Sequence, residues 1–181
     1  MRKIVTHLFM SLDGVVENPD WTFGYFNEEV AAEMQSQLDG IDAVLLGRVS
    51  YLEWADYWPT ATDEPFATFI NNTPKYIVSS TLDKVEWKNS SLLKGDLVDE
   101  IKKLKQQPGK NIGVNASVTL NQGLLELDLL DEINLSLHPV IVGKGKRLFT
   151  EGNPLKKMKL VESKTTSLGV VFLKYQPDRS G

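Results

Sequence analysis

Residues 129–149 read LLDEINLSLHPVIVGKGKRLF, and this stretch decides how the rest of the chain is understood. An acidic turn, Asp131-Glu132, leads into Ile133, Leu135 and Leu137 alternating with Asn134 and Ser136, the two-residue period of a strand buried on one face. His138-Pro139 and the apolar Val140-Ile141-Val142 follow, and the chain then turns sharply. Gly143 and Gly145 permit positive φ and close backbone approach, while Lys144, Lys146 and Arg147 place three cations around the turn, a composition suited to an anion.

Working outward, Lys3–Ser11 reads as a first strand, followed by a polar, aromatic loop, Leu12–Phe23. Asn27 can cap a helix with Glu28 and Glu29 in its first turn, ending near Gly40. Ile41–Leu46 is a nearly continuous apolar run, as in a central parallel strand, and feeds a helix starting around Val49. Glu64–Asn72 is a candidate helix and Lys75–Ser79 the next strand. Asp96–Gln107 carries Leu97, Val98, Ile101 and Leu104 at helical spacing and stops at Pro108-Gly109. Ile112–Val114 is a strand and Ser117–Leu125 a short helix. Lys157–Thr165 and Gly169–Tyr175 form an antiparallel hairpin. The pattern predicts one domain spanning residues 1–181, with a core over about 3–175. Its architecture is three-layer α/β/α: a mostly parallel central sheet closed by an antiparallel C-terminal hairpin.

Composition narrows the function. The chain has 181 residues, enough to bury a core unaided; 41% are hydrophobic and 24% charged, and the net charge is −4. That balance does not suggest a nucleic-acid or membrane-surface binder, so small molecules are the expected partners. Cysteine is absent, which excludes disulfides and thiolate zinc sites, and His7 and His138 alone do not make a zinc site; no metal is expected. With no signal-peptide pattern and no apolar run approaching membrane-spanning length, a cytoplasmic location is expected.

Ligands of such sheets bind beyond the carboxyl ends of the strands, which singles out the loops Asp13–Trp21, Gly47–Tyr51, Ser79–Thr81, Asn115–Leu120 and Gly143–Arg147. Gly47-Arg48-Val49-Ser50 ends a strand and opens a helix, so its amides and the Arg48 guanidinium can hold a phosphate; Arg48 can equally pair with a surface carboxylate. Ser79, Ser80 and Thr81 offer three hydroxyls for a ribose phosphate or, equally, for a turn. Asp13-Gly14 by itself reads as a turn, Trp21 as a core residue, and Glu28, Glu29 and Glu33 as a solvated helix face. Asp131 and Glu132 read as structural, His138 as a satisfied core histidine, and the Gly143–Arg147 loop as an anion site, a tight turn or part of a dimer contact.

The ordered set SLDG (11–14), LLGRVSY (45–51), KYIVSST (75–81) and the 129–149 stretch resembles the dihydrofolate-reductase-like family. The most similar branch is the C-terminal reductase domain of the bifunctional riboflavin-biosynthesis deaminase/reductase and its stand-alone bacterial relatives. The resemblance runs from about Lys3 to Tyr175 and implies NADPH as reductant, a pyrimidine- or pteridine-like substrate, and a homodimer. It makes reduction of 5-amino-6-(5-phosphoribosylamino)uracil a candidate reaction, while a non-catalytic pterin, flavin or nucleotide binder on the same fold is the alternative.

By the same resemblance, the loop from Asp13 closes over the nicotinamide, with Val16 near its ring and Trp21 near the substrate, and a first-helix carboxylate such as Glu29 faces the substrate. Gly47, Arg48, Ser50, Ser79, Ser80, Thr81 and Gly143 belong with the dinucleotide. So does the turn Asn115-Ala116-Ser117-Val118-Thr119-Leu120, where Ala116 and Val118 stand at positions expected to be glycine. Each Cβ there is expected to crowd a phosphate or strain the turn. The zinc signature of the deaminase half is absent, so the preceding deamination is not expected of this chain.

Overall fold

A computed structural model describes residues 1–180, and eight strands form one sheet. The strands are β1 (Ile4–Met10), β2 (Ile41–Gly47), β3 (Lys75–Val78), β4 (Ser90–Leu93), β5 (Asn111–Asn115), β6 (Glu132–Leu137), β7 (Met158–Thr165) and β8 (Val171–Pro177). Their order is β4-β3-β2-β5-β1-β6-β8-β7, with neighbours parallel except where β8 runs against β6 and β7. The helices are α1 (Glu28–Asp39), α2 (Arg48–Tyr57), α3 (Phe66–Asn72), α4 (Leu97–Gln106) and α5 (Val118–Glu126), with a 3-10 turn at Pro19–Tyr25. The three-layer α/β architecture and its closing hairpin are as expected.

Each helix forms for a local reason. Asn27 Oδ1 accepts the Val30 amide at 3.0 Å at the start of α1, and Asp96 Oδ1 accepts the Asp99 amide at 3.2 Å at the start of α4. In α4 the buried Ile101 and Leu104 face the sheet, and Lys103 and Lys105 occupy the last turn, where cations suit the helix dipole. Helix α3 is closed by a buried lysine: Lys75 Nζ donates to the carbonyls of Ile70 at 2.7 Å and Thr73 at 2.9 Å and lies over the Trp87 ring.

The sheet buries both faces. On one, Ile4, Leu8, Leu45, Ile112 and Val114 pack with Ile101, Leu104 and Leu124; on the other, Val5, Val44, Leu46 and Ile77 pack with Tyr51, Ile70 and Trp87. A smaller cluster of Val30, Val170 and Phe172 lies under α1.

One expectation needs correction, and two further features were not read from the sequence. Strand β6 is buried on both faces, because Asn134 and Ser136 are as enclosed as Ile133 and Leu135. Residues 140–142 continue no strand; they run out as a loop that leaves Ile141 exposed. Strand β4 was not anticipated, since Ser90-Ser91-Leu92-Leu93 lacks both an apolar run and clear alternation, and pairing with β3 organises it.

Candidate active site

The five loops singled out in the sequence follow the carboxyl ends of β1, β2, β3, β5 and β6, five mutually parallel strands, and so share one edge of the sheet. Beyond β2, β3 and β4 lies a groove of about 470 Å³ lined by Arg48, Ser79, Ser80, Thr81, Lys94 and Gly95 among others. Arg48 and Lys94 are exposed and have no carboxylate partner among the described residues, so the surface pairing open to Arg48 does not occur. Ser79 Oγ accepts the amides of Thr81 at 3.2 Å and Leu82 at 3.1 Å, which shapes the turn and leaves its proton available. Two unpaired cations thus stand beside three hydroxyls, a combination with the chemistry to hold a phosphate monoester. Lys94 was missed in the sequence because it follows the unrecognised β4.

The N-termini of α2 and α5 meet at this edge, where the Gly47 amide donates to Ser117 Oγ at 2.9 Å. Ser50, Ser117, Val118 and Leu120 are buried and Thr119 is exposed. Ala116 adopts φ +64°, the left-handed region that favours glycine, so the expected strain is real at that residue. Val118, in contrast, is the first residue of α5 and packs in the core, so the strain expected of the turn falls on Ala116 and not on Val118. Asn121, unremarked in the sequence, is fully buried and donates to Ser117 O at 3.2 Å, bracing the turn from below.

The β1 and β6 loops are tied together. Asp13 Oδ1 accepts from Ser11 Oγ at 2.6 Å and the Val142 amide at 3.0 Å, and Oδ2 accepts the Gly143 amide at 2.8 Å. Arg147 Nε donates to Asp13 O at 2.8 Å, and Lys146 lies near Glu17. The anion gripped by the glycine loop is therefore the chain's own carboxylate. The Ser11 hydroxyl, with the amides of Val142 and Gly143, holds Asp13 far below the usual carboxylate range, so it stays ionised. Gly145 makes the approach possible, since with φ +121° any Cβ would fall 2.8 Å from Val15 Cγ1. Val16 is buried in the core, its amide donating to Lys146 O.

Glu29 is also engaged: its Oε2 accepts the Ser167 amide at 2.8 Å, Ser167 Oγ at 2.5 Å and Asn27 Nδ2 at 3.0 Å, contacts that hold its carboxyl below the usual range. It fastens α1 to the β7–β8 turn. Trp21 stands half-buried, edge-on to His138 at 5.5 Å, and Phe9 and Tyr25 meet the same imidazole edge-on. His138 Nδ1 donates to Ser136 O at 2.9 Å, and burial lowers the pKa of the ring, as befits a satisfied core histidine. Asp131 is structural, joining the Ile4 amide to Lys105.

Comparison with known proteins places this edge in context. The model of the RibD C-terminal domain matches residues 2–172. The chain belongs to the RibD C-terminal domain family. It is 30% identical over 178 residues to the uncharacterized protein YyaP of Bacillus subtilis, covering 96% of this chain and 94% of YyaP. A protein assigned by name to riboflavin biosynthesis, from Shewanella sp. PV-4, superposes with a TM-score of 0.79 at 24% identity, covering 98% and 99% of the two chains. Dihydrofolate reductase from Enterococcus faecalis, solved with NADP(H), superposes with a TM-score of 0.64 at 11% identity, covering 97% and 96%. The fold is thus dihydrofolate-reductase-like.

Proposed function

We propose that this chain is an NADPH-dependent reductase of a pyrimidine- or pteridine-like ring, working in the cytoplasm as a homodimer. The observation that carries this reading is the groove in which Arg48 and Lys94 stand unpaired beside Ser79, Ser80 and Thr81. This site matches the 2′-phosphate that distinguishes NADPH from NADH. The first-turn amides of α2, from Arg48 to Ser50, with those of Val118 and Thr119 at the start of α5, lie at the same edge and suit the pyrophosphate. When bound, NADPH supplies a hydride to an electrophilic ring carbon.

The chain's own residues bind and orient. Asp13 acts by fixing the β1 loop to the Gly143 loop, and Glu29 by fixing α1 to the hairpin, because both carboxylates are held ionised by their donors. Trp21 and Phe9 close the α1 side with aromatic surface. The proton that completes the reduction then comes from water.

Following loss of reduced-nicotinamide absorbance over a panel of uracil, pterin and lumazine derivatives tests the proposal. Turnover with NADPH on one of these rings is expected, and NADPH binding without turnover on any of them would favour a non-catalytic binder. The strained Ala116 at the pyrophosphate turn is the observation that keeps this second reading in view.

A further inference from the structure

The segment between β1 and α1 divides into two parts that are held in opposite ways. Its stem, residues 11–17, is fastened to the loop after β6. The Leu12 amide donates to Val140 O at 2.8 Å and the Val16 amide to Lys146 O at 2.9 Å, and Val15 forms a β-bridge with Arg147. Ser11 Oγ accepts the Val15 amide at 2.9 Å, and Glu17 Oε2 accepts the Lys146 amide at 3.1 Å. Asp13 adds its bonds to the amides of Val142 and Gly143. Val15 and Val16 are buried, and Val15 fills the space that a side chain at Gly145 would need.

The tip, residues 18–26, lacks such fastening. Its amide and hydroxyl bonds stay within it: the Asp20 amide donates to Asn18 O at 2.9 Å and Thr22 Oγ1 to Pro19 O at 2.7 Å, and among the described residues none reaches another part of the chain. No residue of the 3-10 turn Pro19–Tyr25 is buried, and Phe23 and Phe26 are 80% and 62% exposed. The tip rests on the body through the edge-on contacts of Trp21 and Tyr25 with His138, and Trp21 Nε1 is buried there without a partner, so this seat leaves a donor unsatisfied. Asn18, in the left-handed region at φ 47°, marks the entry. At the exit Phe26 is extended, and the next residue, Asn27, is held by the Val30 amide and Ser167. Few buried contacts and no hydrogen bonds to the body are the marks of a segment that opens at low cost.

The order of the strands places this tip relative to the cofactor. The groove with Arg48 and Lys94 lies beyond β2, β3 and β4, and the first turns of α2 and α5 follow β2 and β5. The next strands across the sheet are β1 and β6, so the far half of a dinucleotide laid along this edge arrives beside Phe9 and His138, where Trp21 and Tyr25 rest. We propose that the lid of this site is the tip alone: residues 18–26 swing between Asn18 and the Phe26–Asn27 link and bring Phe23 over the nicotinamide half of the cofactor, while the stem stays fixed. This rests on the reductase reading, and it confines closure to a shorter segment than the whole loop from Asp13. Such a lid excludes water from the reacting atoms without breaking the contacts between the β1 and β6 loops.

The absence of cysteine makes the test direct, because Phe23→Cys and Leu12→Cys each give one attachment point for a nitroxide spin label, at exposed positions on the tip and the stem. Spectra are recorded for both labelled chains alone and with saturating NADPH. The tip label is expected to rotate within nanoseconds in the chain alone and to slow by at least about threefold with NADPH, while the stem label is unchanged. Hydrogen exchange of the unlabelled parent chain should give the same contrast: the amides of Trp21–Tyr25 exchange faster than those of Val15 and Val16, and slow when NADPH is added. A stem that slows together with the tip, a tip as well protected as the stem before NADPH is added, or a tip unchanged while nicotinamide fluorescence shows NADPH bound would each overturn the proposal and leave the reductase reading standing. Failure to bind NADPH at all would overturn both.

Discussion

The carboxylate of Asp13 receives the main-chain amide of Gly143 across 130 positions of sequence, at 2.8 Å, and so couples the loop after β1 to the loop after β6. Asp13→Asn replaces one acceptor with a donor facing an amide or hydroxyl. The expected result is lower thermal stability and faster hydrogen exchange at Val142 and Gly143, while the far-UV spectrum is preserved. Because the folded-state pKa is depressed, the stabilisation is present above the usual Asp pKa and is lost as pH falls below it.

His7 gives a second acid dependence. Burial lowers its pKa to about 4, so between pH 6.5 and about 4 the unfolded chain binds a proton that the folded chain does not. Stability is complete above pH 6.5 and falls with acidification, by up to about 3 kcal/mol from this group. Denaturant unfolding over that range should show a flatter pH profile for His7→Leu than for the parent chain.

Ala116 at φ +64° is an alanine where glycine is at ease. Ala116→Gly relieves strain at the cost of greater unfolded-chain entropy, and a net gain of about 0.5–1 kcal/mol is expected from chemical denaturation. If this strain also impedes pyrophosphate contact, NADPH affinity rises in the same variant.

Lys75 spends its charge on two carbonyls at the end of α3. Lys75→Met keeps the volume but leaves those carbonyls unpaired, and a loss of about 2–3 kcal/mol is expected in equilibrium unfolding.

The sequence displayed the fold well wherever apolar periodicity was strong: β2, α4 and the hairpin follow directly from Ile41–Leu46, Leu97/Ile101/Leu104 and the alternation after residue 157. It also brought the five polar loops to one edge, since parallel strands leave little choice about where their carboxyl ends lie. Partnerships were hidden. Nothing local says that Asp13 is held by amides near residue 142, that Glu29 reaches Ser167, or that Lys75 folds back on α3. The polar face of β6 was visible as Asn134 and Ser136, but alternation cannot distinguish solvent from a buried polar layer, and only the register with His7 and Lys174 reveals the latter.

Arg48→Ala and Lys94→Ala each remove a charge-assisted contact from the proposed 2′-phosphate site. A roughly ten- to hundredfold loss of NADPH affinity is expected for either, with NADH affinity little changed.

Titration of the purified parent chain with NADPH and NADH, followed by nicotinamide fluorescence, tests the central claim most directly. The account predicts saturable binding of NADPH on the order of micromolar, at least about tenfold tighter than NADH. Equal affinity for the two cofactors would contradict the role given to the Arg48–Lys94 groove, and no binding of NADPH at millimolar concentration would contradict the reductase itself.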